Sequence, residues 1–176
     1  MISQRIQKLK VSPLKRLFEL AKELKNPCNL SYGQPHFDVP GPIRAAAIKA
    51  IQEERNGYTQ AQGIDLLREK ALTHFAKRGA PQEDVIVTPA LSNAFLLAMM
   101  ALTDPGDEIL IPDPAFLFWK DLPPTLGVKP VFVDTYPDFR WRRERLEAKI
   151  TPKTRAIVFS CPANPTGVVA TDKELK

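Results

Sequence analysis

Through the first half of the chain, apolar residues recur at helical spacing. Leu14, Leu17, Phe18, Ala21 and Leu24 fall on one face and predict an amphipathic helix around Leu14–Leu24, which Asn26-Pro27 ends. The stretch from Asn29 to Pro42 is irregular and rich in Gly and Pro. Pro42 then suits the first turn of a second helix, with Ile43, Ala46, Ala47, Ala50 and Ile51 on one face as far as Glu54. A third helix is predicted over Gly63 to Arg78, turning Leu66, Leu67, Ala71, Leu72 and Phe75 inward and stopping at Gly79.

From Asp84 onward the pattern shortens. Four β-rich runs, Asp84–Thr88, Glu108–Ile111, Lys129–Asp134 and Arg155–Ser160, alternate with helical stretches. The helices are Ser92–Leu102, Phe116–Leu126 (interrupted by Pro123-Pro124) and Arg142–Lys149. Strands alternating with helical crossovers predict an α/β fold built on a mostly parallel sheet covered on both faces. At the far end Thr171 reads as a helix cap, with Glu174 closing a capping box. An element that stops after one turn leads us to expect an incomplete polypeptide.

Composition then narrows the function classes. A chain of 176 residues, 44% hydrophobic and 26% charged, buries a core and is neither collagen-like, mucin-like nor disordered. Its formal charge is +5, yet cations and acids interleave, as in Arg142-Arg143-Glu144-Arg145, and no basic block accompanies a docking motif. No nucleic-acid partner is expected. The longest apolar run, Ala94 to Leu102, is about half of what a bilayer span needs, so no membrane partner is expected either. Cys28 and Cys161 cannot make a disulfide framework, and the N-terminus lacks the apolar stretch of a secretory signal. The expected location is the cytoplasm.

Candidate chemistry follows by elimination and by position. The glycines form neither a dinucleotide fingerprint nor a P-loop, and His36 and His74 have no ligand partner at suitable spacing, so no metal site is expected. Cys161 lacks an activating His and is expected to be an inert buried thiol. Three peptides directly follow predicted strands: Pro89-Ala-Leu-Ser-Asn93, Pro112-Asp-Pro-Ala-Phe116 and Pro162-Ala-Asn-Pro-Thr-Gly167. Ligands of an open parallel sheet bind beyond the carboxyl ends of its strands, so these loops are expected to converge. Each also has a plain reading, as a helix cap, a proline turn and an Asn-Pro turn. Taken together they are complementary. Ala90-Leu91-Ser92 offers a phosphate backbone N–H groups, a helix dipole and a hydroxyl. Phe116 offers a flat apolar face, and Asn164 an amide aimed by Pro165 and Gly167. The set describes a site for a phosphorylated aromatic cofactor.

Five segments, in order, resemble the class I/II aminotransferases, fold-type-I enzymes that use pyridoxal 5'-phosphate (PLP). They are Leu30-Ser-Tyr-Gly-Gln-Pro-His-Phe37, Tyr58-Thr-Gln-Ala-Gln-Gly63 with Leu67-Arg68, Val87 to Ala94, Asp104-Pro-Gly-Asp-Glu108 through Phe116, and Asn164-Pro-Thr-Gly167. The resemblance implies a three-layer PLP-dependent transferase-like large domain over 41–176, incomplete at its C-terminus. Residues 1–40 would form an N-terminal helix and substrate-side loop. It further implies that Ala90, Leu91 and Ser92 hold the PLP phosphate, that Phe116 stacks on the pyridine ring, and that Asn164 bonds the phenolic oxygen beside the substrate. Gly33 would lie against the substrate carboxylate. Tyr58 would reach the cofactor phosphate of a partner subunit, making the full-length form a homodimer. Two positions depart from the family: Ala90-Leu91 occupies a turn that usually carries glycine or smaller residues, and Asn93 stands where an acid is common. The family's Schiff-base lysine, the Asp on the pyridine nitrogen and the Arg that grips the substrate carboxylate lie further along than Lys176. The implied function is the N-terminal part of an aminotransferase acting between an amino acid and a 2-oxo acid, inactive as these residues alone. A PLP-dependent C–S lyase of the same fold and a non-catalytic binding or dimerisation module are the alternatives.

Overall fold

The computed structural model describes residues 2–7, 13–26, 28, 33, 35–79 and 84–175. Leu30, Ser31, Tyr32 and Gln34 of the substrate-side loop, and the side chains of Leu14 and Phe18, lie outside the described residues. In chain order the elements are α1 (Gln4–Gln7), α2 (Pro13–Lys22), α3 (Gly41–Gln52), α4 (Asp65–Ala76), α5 (Ala90–Leu102), β1 (Glu108–Asp113), α6 (Leu117–Asp121), a 3-10 turn (Pro123–Leu126), β2 (Lys129–Asp134), α7 (Arg143–Glu147) and β3 (Thr154–Ile157). They divide into two compact units, Met1–Leu9 with Thr88–Lys176, and Lys10–Val87.

The core of the first unit is built around one strand. Glu108-Ile-Leu-Ile111 is a continuous apolar run after its first residue, the pattern of a strand buried on both faces. β1 takes the centre of the sheet, in the order β2-β1-β3, and pairs in parallel with both neighbours. Ile109 and Ile111 face one side and pack with Phe95 and Met99 of α5, Trp119 of α6 and Val128. Leu110 faces the other side and is equally inaccessible. Burial of each such side chain stabilises by about 1.5–3 kcal/mol. On the outer strand, α7 lies against β2.

Most predicted elements of this unit form, and the departures have local causes. The fourth predicted strand ends at Ile157 rather than Ser160. Val158 N–H still reaches Leu110 O at 2.8 Å, but the next donor due from β1 toward β3 belongs to Pro112, which has none. Asp84–Thr88 was expected as a strand and joins no sheet among the described residues. Pro123-Pro124 converts the end of the sixth helix into a 3-10 turn, closed by Gly127 at φ +79. A glycine is needed there for a second reason: a Cβ would stand 3.0 Å from Pro105 Cβ. The capping box is half made. Residues 172–174 form a turn in place of the expected helix start: Thr171 N–H donates to Glu174 Oε2 at 2.7 Å, and the Thr171 hydroxyl also turns to Glu174. Arg140 adds a third donor at 2.9 Å. These bonds, those from Thr171 foremost, hold the Glu174 carboxyl below its ordinary range.

The second unit corrects an expectation. Its three helices lie where the periodicity places them, yet none of its described residues is buried. Ile43 and Ile51, expected on one face of α3, and Leu66, Leu67 and Phe75 of α4, expected to point inward, are about half exposed or more. Amphipathic spacing identifies a face; it does not supply the surface that covers it. Among the described residues no helix is long and apolar enough to cross a membrane.

Candidate functional site

Because β1 and β3 run parallel, the loops that follow them leave the sheet at the same edge. Asp113 to Phe116 follows β1, and Ser160 to Gly167 follows β3. α5 enters β1 through the tight turn at Asp104–Asp107, so it runs back along the sheet and its first turn stands at that edge too. Near its start, Phe95 meets Phe118 edge-on at 6.1 Å. The edge therefore carries Ala90, Leu91, Ser92, Phe116 and Asn164. Gly33, exposed at φ +62, and Tyr58, fully exposed, belong to the other compact unit.

The turn before α5 is formed by an alanine in a glycine's conformation. Ala90 has φ +67, its N–H donates to Thr88 O at 2.8 Å, and the Thr88 hydroxyl reaches Ala90 O at 3.1 Å. Thr88 thus braces the turn, a role that its side chain makes intelligible but that sequence inspection missed. The amides of Leu91 and Ser92 lie too early in the helix for an intrahelical acceptor and have none elsewhere among the described residues. No side chain caps the helix and no acid sits in its first turn. Two free donors at the positive end of a 13-residue helix, with the half-buried Ser92 beside them, suit an anion. Leu91 is 63% exposed, so its side chain leaves the turn for solvent rather than for the core.

The other two loops are similarly braced. Phe116 is half-buried against the core cluster and meets Trp119 at 6.0 Å and 88°, which fixes its ring. The loop begins at Asp113, whose carbonyl accepts both the N–H of buried Thr135, at 3.2 Å, and its hydroxyl, at 2.6 Å. Asn164 is exposed, and its side-chain amide has no partner among the described residues. Its backbone N–H donates to Ser160 Oγ at 3.3 Å, and the turn closes through Ala163 N–H to Val168 O and Gly167 N–H to Ala163 O, at 2.8 and 2.7 Å. Gly167 takes φ +74 to make that closure. Thr135 and Ser160 are further positioning groups that no motif announced.

Cys161, expected as a buried thiol, is exposed, with its sulfur accepting Ala170 N–H at 3.4 Å. The strand has already ended at Ile157, so Cys161 lies on the loop beyond it. A cleft of about 410 Å³, open mouth included, lies beside the asparagine loop and is walled by Pro114, Thr135, Trp141, Phe159 and Ala163 among others. Ser92, Phe116 and Asn164 are not among its walls, so it neighbours the predicted cradle and does not coincide with it.

Residues 25–176 match the family model of aminotransferase class I and II. Aromatic-amino-acid aminotransferase 2 of Thermococcus litoralis is 33% identical over 99% of this chain and 46% of its own length. A probable aspartate aminotransferase of Methanocaldococcus jannaschii is 37% identical over the same shares. Among solved structures, aspartate aminotransferase from Thermotoga maritima superposes with a TM-score of 0.92 at 31% identity, covering 99% of this chain and 49% of that one. The chain spans about half the length of the curated relatives it matches.

Proposed function

Since the chain belongs to the class I and II aminotransferase family, we propose that it supplies the PLP cradle of an enzyme that moves an amino group between an amino acid and a 2-oxo acid. The observation that carries this reading is the pair of acceptor-free amides at Leu91 and Ser92, on the sheet edge that also bears Phe116 and Asn164. The donor set fits the cofactor. Two backbone N–H groups and the Ser92 hydroxyl would take its phosphate, Phe116 its ring, and the unpartnered Asn164 amide its phenolic oxygen.

When bound, PLP supplies an electron sink for charge developing at the amino acid's α-carbon. This chain's share is to hold and aim. The free amides, fixed in the helix, offer the phosphate donors that need no rearrangement on binding. The ring of Phe116, packed edge-on against Trp119, would offer the cofactor ring a fixed apolar face. Asn164, whose backbone is held by Ser160 and by the closed turn around it, would donate to the phenolic oxygen. We assign Gly33 to the substrate carboxylate and Tyr58 to the cofactor phosphate of a second subunit in a cytoplasmic homodimer. Residues 41–176 then form the large-domain portion and 1–40 the arm. Following the family resemblance, we assign the cofactor-bearing lysine to a part of the enzyme further along than these residues, which alone are expected to bind without turnover.

The test has two readouts. Titrated with PLP, the chain is expected to show quenching of its tryptophan emission, and S92A to weaken binding by roughly tenfold, as loss of a bond to a charged group predicts. A protein carrying these residues within a chain of the relatives' length is expected to pass isotope-labelled amino nitrogen from an amino acid to a 2-oxo acid. No binding and no transfer would refute the reading, whereas release of ammonia in place of a new amino acid identifies an eliminating enzyme.

A further inference from the structure

The loop that carries Asn164 has an outer arm, and a side chain from a different loop holds it. Residues 168–170 run back beside 161–163: Val168 O accepts Ala163 N–H at 2.8 Å, and Ala170 N–H donates to Cys161 Sγ at 3.4 Å. Arg140, on the loop after β2, reaches this arm from outside. Its Nη1 donates to Glu174 Oε2 at 2.9 Å and approaches Val169 O at 3.5 Å. The Glu174 side chain is only 16% exposed, which sets this pair apart from fully solvated ones, whose contribution is small. Among the described residues, no other side chain from outside the loop hydrogen-bonds to 165–175.

Arg140 is itself mounted firmly. Arg145 of α7 donates to Asp134 O at 3.1 Å and to Tyr136 O at 2.7 Å, which fixes the chain leaving β2. On the far side of Arg140, the ring of Trp141 packs on Phe159 at 6.1 Å. The cleft beside the asparagine loop lies between the two loops, walled by Arg140 and Trp141 from one and by Ala163, Thr166 and Val168 from the other. Packing between them is incomplete there, so the ion pair carries the connection. Bonds within the asparagine loop set its shape, whereas the orientation of that shape depends on ties to the rest of the sheet. We propose that Arg140 is a positioning residue for Asn164, holding the outer arm and so fixing where the Asn164 amide stands relative to the cofactor's phenolic oxygen. The path runs from Arg140 to Val169 and Glu174, through Val168 O to Ala163 N–H, and so to the next residue, Asn164, all within one compact unit. The inference rests on the reading of Asn164 as the partner of that oxygen.

The experiment compares PLP with 3-deoxypyridoxal phosphate, which keeps the ring and the phosphate and lacks the phenolic oxygen. Dissociation constants for both are measured by equilibrium dialysis on the 176-residue chain, R140A, N164A and the double variant, with a thermal melt of each. N164A is expected to weaken PLP about tenfold, the worth of one bond to a charged group. R140A is expected to weaken it by roughly threefold to tenfold, within the ceiling that N164A sets. Neither substitution is expected to change affinity for the deoxy analogue, and R140A is expected to add nothing once Asn164 is gone, as for residues acting as one unit. E174Q keeps the shape of the acid and loses its charge. It is expected to show the same pattern at smaller size, and it carries the comparison if R140A does not fold. Equal weakening of both ligands, or the same loss with and without Asn164, would overturn the proposal, because general loosening produces either. Unchanged PLP affinity in R140A and E174Q beside a weakened N164A would overturn it too. Unchanged affinity in N164A itself would instead overturn the reading of Asn164, and this inference with it.

Discussion

At the scale of single residues, two side chains sit where another type would serve stability differently. Ala90 holds φ +67, a conformation that costs an L-residue roughly 1–2 kcal/mol and glycine nothing. A90G is therefore expected to stabilise the protein by about 1 kcal/mol, after allowance for glycine's larger freedom when unfolded, read as a higher midpoint in urea. The second is Glu108, buried at the amino end of β1. Its carboxylate accepts Lys129 Nζ at 2.9 Å and the Thr151 hydroxyl at 2.8 Å, which hold its pKa below the ordinary 4.5. A depressed folded-state value contributes stability above the ordinary pKa, and that contribution is lost as acid titrates through the folded-state value. The gap in Tm between wild type and E108Q is accordingly expected to hold from neutrality to about 4.5 and to narrow as pH falls below it. A constant gap would show that the ion pair is not its source. Neither feature was legible beforehand. The departure of Ala90-Leu91 from glycine is plain in the sequence, but the sign of φ is not. Likewise a charged first residue of a strand reads as an exposed strand end until the neighbours that bury it are known.

Elements were legible where the chain signals its own ends. Pro42, Gly79 and Asp104-Pro-Gly-Asp107 bound their helices and turns as expected, because proline and glycine act locally. Strand ends depended on a partner. That Arg155–Ser160 pairs only to Ile157 was decided by Pro112 on the neighbouring strand, through a donor it lacks. Asp84–Thr88 has strand composition, yet its bonds go to Arg68 and to the loop at Gln62, residues brought close only by folding. Gly63 offers the sharpest check on that arrangement. G63A places a Cβ in contact with Val87 and forces alanine to φ +108, so it is expected to destabilise by about 1–3 kcal/mol. G57A, where a Cβ meets nothing within 4 Å, serves as its control in the same denaturant series.

For the molecule as a whole, the alternation of strands and helices announced the parallel sheet. The uneven distribution of burial was not announced, since helical periodicity looks the same whether or not a face is covered. The first unit concentrates its inaccessible side chains on β1, while the second has none among its described residues. Hydrogen exchange is expected to follow that contrast: amides of β1 should be the last to exchange, and those of α3 and α4 should open at lower free energy. L110A, emptying a fully enclosed position, is expected to cost about 2–5 kcal/mol. Uniform protection across both units would contradict this picture.

The central place of β1 has one more effect. Its backbone is engaged on both sides, so the phenyl group that follows it is mounted on the least yielding rail of the sheet, whereas the peptides after β2 and β3 hang from rails supported on one side only among the described residues. Substitutions in the peptides after β2 and β3 are therefore expected to shift those loops more than they shift Phe116, whose strand is braced by two neighbours.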